Sequence, residues 1–334
     1  MMTTPKIGII GAGNMGRIHA RVLNSVRALV AVADQDLARA ESEAKKYGVK
    51  AYKDYRTMLS EVDLDGVIIS TPSSTHADIA KDIAKNFGNI KGVLIEKPLA
   101  DTLEEAKKVA EALQDNGIIA VISHSEIYNP VLSRALSLIK SGDIGTPRSV
   151  IHDRRGFVQP ERIPALGDVF VDIGVHDFDI MARISSGRAR LYAQGNSEGG
   201  IFNAGTVMIS FEDGTEHLFL LSRQYVGRRR NLDVSGTKGT LSLDLFAQII
   251  KVQDLDQEPS ADSRTIRLHE KGATIKVYGE PLGEVISDFL GCIESGEKPQ
   301  VGLEDGIAAL EIVEATRKSA KTGQVVEIEV RSRG

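Results

Sequence analysis

From Lys6 to Ser123 the chain alternates short, unbroken apolar runs with longer segments whose apolar positions recur at helical spacing. The runs are KIGII, ALVAVAD, a weak KAY, DGVIIS, GVLIE and IIAVIS, and between them lie GRIHARVL, LARAESEAKKYG, HADIAKDIAKNF and TLEEAKKVAEALQDNG. A strand buried on both faces needs a continuous apolar run, so strands alternating with helices predict βαβ units and a doubly wound parallel sheet. Thr102 and Glu105 stand in capping-box spacing at the head of the last helix, which specifies its start. After one more helix, PVLSRALSLIKSGDIG, the period changes. From about Arg148 onward alternation of period two is broken by turn residues: GTVMISFEDGTEHLFLLSR predicts a hairpin over EDGT, and NLDVSGTKGTLSLDL another over GTKG. Consecutive hairpins build an antiparallel sheet. The late helical segments EVISDFLGCIESG and EDGIAALEIVEATRKSA are expected to cover one face of it. The pattern thus predicts an α/β domain over residues 1–124 and an α+β domain with an antiparallel sheet over residues 125–334.

Composition agrees with two domains, since 334 residues with 42% apolar content exceed what one core holds, the limit lying at about 250–300 residues. The net charge of -5 is spread along the chain. It offers neither a basic patch for nucleic acid nor a polybasic membrane anchor. No apolar run reaches the length of about 18 residues that spans a bilayer, and no signal-peptide pattern opens the chain, so a cytoplasmic protein is expected. The single cysteine, Cys292, excludes an intramolecular disulfide and reads as a small apolar residue on a helix. The run GRRRN, Gly227 to Asn231, reads as a solvated loop.

Candidate chemistry begins where the first strand runs into Gly11-Ala12-Gly13-Asn14-Met15-Gly16 and then a helix. In that context the glycines allow a tight turn and close approach of a pyrophosphate to backbone N–H groups at a helix N-terminus. Asp34 ends the second strand, where a carboxylate can accept from adenosine ribose hydroxyls and repel a 2′-phosphate; Gln35 and Asp36 follow it, with no arginine to compensate. NAD is therefore expected over NADP. As an alternative, Asp34 can act as an N-cap for the helix after it. Thr71-Pro72 and Glu96-Lys97-Pro98 end two further strands on the side where such sheets bind ligands. A lysine between a buried strand and a proline suits a pocket or a structural ion pair, and His76, on the next helix, suits a ribose contact or the surface. The stretch VDIGVHDFDI holds Asp172 and His176 at i and i+4, on one helical face, with Asp179 nearby and Asp177 pointing elsewhere. Spacing alone leaves a metal site, a polar helix start and a proton-transfer site all open.

The segments GIIGAGNMGRIHA, TPSSTH, EKPLA, YNP, SGDIGTPRSV, DIGVHDFDIM and DGIAALEIVEATRKSAKTG, in this order, resemble the Gfo/Idh/MocA oxidoreductase family over nearly the whole chain. The resemblance implies a Rossmann domain followed by a large open antiparallel sheet through which homodimers or homotetramers form. It implies NAD as cofactor and a reaction centre of Lys97, Asp172 and His176, with the peptide before Pro98 often cis. His176 would then be the base for a substrate hydroxyl, Lys97 would stabilise the alkoxide, Asp172 would hold the hydroxyl or orient the ring, and Asn129 would be a second hydroxyl ligand. A sugar or cyclitol such as myo-inositol is the implied substrate class, and metal is not called for. A narrower likeness, in RRGFVQPERIPALGDVFVDIGVHDFDIM, is to dehydrogenases acting on the 3-position of UDP-N-acetylglucosamine, for which Arg154, Arg155 and Arg162 would suit a diphosphate. The chain departs from those enzymes in carrying Ile127 in Glu126-Ile127-Tyr128-Asn129-Pro130, where they tend to have arginine. NAD-dependent glycosidases and non-catalytic dinucleotide sensors of the same fold are the alternatives.

Overall fold

A computed structural model of the protein describes residues 4–258 and 267–333. The chain divides into two compact units, one running to Ser125 and including Glu280–Leu310, the other comprising Glu126–Gly279 and the chain from Glu311 on. The helices are α1 (Asn14–Ser25), α2 (Leu37–Tyr47), α3 (Tyr55–Glu61), α4 (His76–Asn86), α5 (Leu103–Asp115), α6 (Pro130–Lys140), α7 (Ile163–Leu166), α8 (Val175–Ile184), α9 (Pro281–Ser295) and α10 (Leu303–Thr322). Among the described residues no helix is long and apolar enough to cross a membrane.

The first unit holds β1 (Ile7–Ile10), β2 (Leu29–Ala33), β3 (Lys50–Tyr52), β4 (Gly66–Ile69), β5 (Gly92–Ile95) and β6 (Ile119–Ile122). They form one sheet in the order β3-β2-β1-β4-β5-β6, parallel throughout. Every residue of β1, β4 and β5 is buried, which is why these strands read as unbroken apolar runs. The order reverses between β1 and β4, the switch point at which open parallel sheets open a ligand cleft beyond the strands' carboxyl ends. Local signals set the helix limits. Gly48 stops α2 at φ 70, and Thr102 Oγ1 accepts from the Glu105 N–H at 3.2 Å at the start of α5. The Glu105 carboxylate turns instead to Lys81 at 2.7 Å, so half of the capping box forms.

In the second unit lie β7 (Pro147–Phe157), β8 (Gly187–Glu198), β9 (Ile201–Phe211), β10 (Glu216–Ser222), β11 (Gln224–Gly236), β12 (Gly239–Asp244), β13 (Ile249–Glu258), β14 (Arg267–Lys276) and β15 (Val326–Val330). They make a 9-stranded sheet in the order β14-β13-β12-β11-β7-β10-β9-β8-β15. Both expected hairpins form, as β9–β10 and β11–β12. The sheet is mixed rather than wholly antiparallel, because β7 and β10 pair in parallel. After β7 the chain leaves through helical segments, and the meander β8–β9–β10 then returns to meet β7 in its own direction. Such a crossover carries no turn signature, so period-two alternation alone could not reveal it.

Two further expectations are corrected. The helix α9 does not cover the second sheet: a Cβ at Gly66 would stand 2.7 Å from Ile293 and one at Gly92 2.8 Å from it, so these bare positions at the start of β4 and β5 receive α9 in the first unit. The helix α10 begins in the first unit and ends in the second, where its Ser319 Oγ accepts from the Ala193 N–H at 2.9 Å. Helical period shows which face is apolar but not which sheet receives it. The GRRRN run is not a loop either. Arg228, Arg229 and Arg230 lie in β11, paired with Gly156, Arg155 and Arg154 of β7, and Arg230 donates to Glu126 at 2.8 Å. Cys292 is a buried residue of α9, and burial pushes its thiol up to about 12.

The inner face of the second sheet buries His152 and His217 completely, their facing ring nitrogens 3.1 Å apart, with Phe219 stacked on His152 at 4.2 Å between centroids. Burial pushes both imidazoles below their ordinary value, His217 well below it. The unfolded chain takes up protons at these sites below about pH 6.5 whereas the folded chain resists them, so stability falls as pH drops below that point, by up to about 1.4 kcal/mol per pH unit for each histidine. Thermal unfolding followed from about pH 7.5 to 5.5 should show this loss, and His217→Gln should make it shallower. An unchanged slope in that variant would remove His217 as a cause.

Candidate active site

The loop between β1 and α1 is shaped by glycines. Gly11 takes φ +102, and a Cβ at Gly16 would stand 1.9 Å from the Gly11 carbonyl oxygen, so any side chain there would force loop and helix apart. A Cβ at Gly13 would meet nothing within 4 Å, because this residue borders open space. No side chain caps α1 at Gly13, so first-turn N–H groups are left for an anionic ligand. Asn14 and Met15 are exposed at the helix start. Asp34 Oδ2 accepts from the Ala12 N–H at 2.7 Å and Oδ1 from the Asp36 N–H at 2.9 Å, which ties the end of β2 to the glycine loop. Asp34 is thus not the N-cap of α2, a position held by Asp36. Gly11, Gly13, Asp34, Thr71 and Pro72 border a cleft of about 640 Å³. Uncapped amides, a bare glycine and a carboxylate at a strand end fit the pyrophosphate and ribose of a dinucleotide.

At the ends of β4 and β5 two histidines act as braces. His76 is buried, its Nδ1 2.9 Å from the Pro98 carbonyl and its Nε2 3.0 Å from that of Thr71. It therefore lies between the carbonyls of the two strand-end loops, one of which accepts its ring N–H, and is not a surface residue. Glu96 is also buried: its Oε1 meets His19 Nε2 at 2.7 Å and accepts from Ser123 Oγ at 2.9 Å. Burial opposes its charge, but the His19 and Ser123 contacts outweigh burial and hold its carboxyl below the usual range. Through Oε1, Glu96 is accordingly an internal strut linking α1, β5 and the end of β6. Between these braces sits Lys97, half-buried, joined to Pro98 by a cis peptide as the family resemblance implied.

In the second unit the segment from Asp168 to Ile184 carries the other candidates. Asp168 Oδ1 accepts from the N–H groups of Phe170 and Val171 at 3.0 and 3.2 Å and so starts the segment. Its first turn, Phe170–Gly174, is a π-helix, a local widening found disproportionately at functional positions. Each aspartate then meets an arginine: Asp168 Oδ2 accepts from Arg317 Nε, Asp172 Oδ2 from Arg223 Nη1 at 3.5 Å, and Asp177 Oδ2 from Arg154 Nε, while Asp179 lies 3.7 Å from Arg183. Within VDIGVHDFDI, Asp172, Asp177 and Asp179 are buried, and His176, on the same face as Asp172, is half-exposed. Among the described residues no cluster of three or more His, Cys, Asp or Glu could hold a metal ion.

Three expected ligands have other roles. Asn129 is buried as the N-cap of α6, with Oδ1 accepting from the Val131 N–H at 3.1 Å and Nδ2 donating to the Leu245 carbonyl at 2.9 Å, so its amide is used inside the fold. Arg154 is not a loop residue but a buried strand residue that bridges Asp177 and Glu126. Burial disfavours its charge, yet the two carboxylates outweigh burial and raise its pKa. Arg155, also in β7, donates to Asp153 through Nε and Nη2 and lies over the Tyr225 ring at 4.8 Å. Arg162 alone of the three is exposed, at the end of the short Pro160–Arg162 turn. Of the two buried arginines, sequence reasoning named Arg154 for a different role and missed Arg223. Arg223 and Arg154 continue the period-two series His217, Phe219, Leu221 and Val150, His152, so an inward-facing arginine at the end of each series was the available signal.

A dinucleotide cleft at a sheet's switch point, followed in the chain by a second unit with an aspartate–histidine helix, defines the class of two-domain dehydrogenases. Residues 5–124 match the model for the oxidoreductase family with NAD-binding Rossmann fold, and residues 137–328 match that for its C-terminal alpha/beta domain, so the chain belongs to the Gfo/Idh/MocA oxidoreductase family. Myo-inositol 2-dehydrogenase of Thermotoga maritima is 27% identical over 339 residues, covering 97% of this chain and 98% of that protein. UDP-N-acetylglucosamine 3-dehydrogenase of Acidithiobacillus ferrooxidans is 30% identical over 175 residues, 52% of each chain. A solved structure of the latter enzyme shares the fold with a TM-score of 0.83 at 22% identity, over 97% of this chain and all of that one (100%).

Arg154→Leu should lower stability by about 3–5 kcal/mol, because it leaves Asp177 and Glu126 buried without their shared cation. Denaturant unfolding measures this directly, and a loss below about 1 kcal/mol would show that the pair is not held as a buried ion bridge.

Proposed function

We propose that the protein is an NAD-dependent dehydrogenase that oxidises a secondary hydroxyl of a neutral polyol, a cyclitol or sugar. The observation that carries this reading is His176, half-exposed beside the buried Asp172, Asp177 and Asp179 of VDIGVHDFDI and one turn from Asp172. Removing hydrogen from a secondary alcohol requires an acceptor for the hydride and a base for the proton. NAD, when bound, supplies the acceptor. His176 takes the hydroxyl proton, since imidazole titrates near neutral pH and is a competent base there. Asp172, held from behind by Arg223, accepts a hydrogen bond from the hydroxyl or steadies the ring, and Lys97 supplies positive charge for the developing alkoxide. A polyol suits the chain better than a nucleotide sugar, because Arg154 is buried and Arg155 is engaged by Asp153, which removes two of the three cations a diphosphate would need.

A panel of myo-inositol, scyllo-inositol, D-apiose and UDP-N-acetylglucosamine with NAD, followed at 340 nm, tests the activity. Turnover of a polyol is expected. Glycoside cleavage without net NADH would favour a hydrolase of the same fold, and NAD binding without any turnover would favour a sensor. His176→Ala should abolish turnover while NAD affinity stays within about twofold, and near-normal activity in that variant would sink the base assignment.

NAD is favoured over NADP because the Asp34 carboxylate lies on the cleft wall, and Arg39, the first arginine after it, is paired with Asp36 at 3.1 Å. Asp34→Ala should shrink the NAD preference by about tenfold or more, a change of about 1.4 kcal/mol. Preference for NADP in the unaltered protein would overturn this choice.

A further inference from the structure

Arg223 is the least expected residue of the second unit, a guanidinium only 1% exposed beneath the segment that carries Asp172 and His176. It follows His217, Phe219 and Leu221 on the inner face of β10, at the point where the chain turns into β11. Its backbone is pinned on both sides: its N–H donates to the Asn203 carbonyl and its own carbonyl accepts from the Val158 N–H, each at 2.9 Å. Its fork is pinned as well. Nη2 donates to Asn203 Oδ1 at 2.9 Å and to the Phe202 carbonyl at 3.3 Å, and Nη1 donates to the Gly167 carbonyl at 2.8 Å. Three neutral acceptors thus fix the guanidinium plane, and the carboxylate it meets is Asp172, with Oδ2 at 3.5 Å from Nη1. Its Nε is buried without an acceptor. A residue needed only to fill this space would be better apolar, since a buried cation with an unmatched donor is costly.

We propose that Arg223 is the positioning residue for Asp172, a role that rests on the dehydrogenase reading above. Nη1 is shared between Asp172 and the Gly167 carbonyl, so one group fixes both the loop entering the segment and the carboxylate in its first turn. Gly167 takes φ +69, and Asp168, next to it, caps the π-turn. The guanidinium thereby ties the loop entering the segment, through Gly167, to the Asp172 carboxylate. The contrast with Arg154 is instructive: that arginine pairs with Asp177 and Glu126, and its removal acts on stability rather than on the face shared by Asp172 and His176.

The test uses the full chain with Arg223→Lys, which keeps the charge and loses the fork, alongside Asp172→Asn and the double variant. With myo-inositol and NAD, Arg223→Lys should lower kcat by about tenfold or more, with little change in KM or NAD affinity; a displacement of about 1 Å at a positioning group is enough for such a loss. The double variant should be no slower than Asp172→Asn, because both changes act through one carboxylate. A kcat within about twofold of the unaltered protein, or losses that multiply in the double variant, would overturn the role. If Asp172→Asn itself turns over normally, the reading of the active site fails; if it is slow while Arg223→Lys is normal, only the positioning role fails. A crystal structure of Arg223→Lys reads the same point without substrate: Asp172 should shift, and an unmoved carboxylate refutes the proposal. Should Arg223→Lys not fold, Asn203→Ala removes one anchor of the fork and leaves the charge. It should give a smaller fall in kcat that does not add to that of Asp172→Asn, and an unchanged kcat overturns the role.

Discussion

The second unit is organised by arginine–aspartate pairing along one helical segment. Asp168, Asp172, Asp177 and Asp179 would repel one another and resist burial if left alone. Arginines from α10, from the end of β10, from β7 and from α8 itself meet them one by one. A buried carboxylate that loses its cation is strongly destabilising, so each pair also fixes the element that supplies the arginine. The segment is thereby referenced to the sheet at several points along its length. The half-exposed His176 sits between two such fixed turns.

The first unit holds its candidate lysine by a different device. Lys97 has no regular element of its own, since it follows β5 and precedes a cis proline. The residue before it, Glu96, is clamped by His19 and Ser123, and the carbonyl of the residue after it is met by His76. Both braces reach across the sheet to neighbouring strand ends or to α1, the helix that begins at the glycine loop. The position of Lys97 is thus tied to the same loop that borders the dinucleotide cleft. In each unit the residue assigned to chemistry is flanked in sequence by residues whose polar groups are fully engaged inside the fold.

The strand–helix alternation of the first unit, its glycine loop, Asp34 and the two hairpins of the second unit were legible because each has a local signature: an apolar run, a φ that favours glycine, or a turn of defined chemistry. The partners of α9, the parallel β7–β10 pair and the strand character of GRRRN were not, because each depends on what a distant segment places next to it. The same division holds at the site. Lys97, Asp172 and His176 could be named from motif and resemblance. Asn129, His76 and Glu96 suit ligands by their types, and each also makes polar contacts inside the fold that sequence does not reveal. A polar residue next to a motif has two ways to satisfy its hydrogen-bonding groups, ligand or protein, and sequence does not say which.

Alternation nevertheless carries information beyond the strands themselves. A period-two strand that carries an inward arginine, as β7 does at Arg154 and β10 does just beyond its last residue at Arg223, commits a cation to the interior before any partner is known. Such a cation is tolerable only if acids arrive from elsewhere, and the stretch VDIGVHDFDI is an acid-rich segment of otherwise apolar character. Inward arginines matched to buried aspartates pair the two, in keeping with a reading of Asp177 and Asp179 as structural charge. What then stands out in it is the half-exposed His176, together with the carboxylate on its face. The charge that left a metal site open in the sequence is thus largely the cost of seating this helical segment on a sheet, and the arginines that offset it also fix where the face shared by Asp172 and His176 lies.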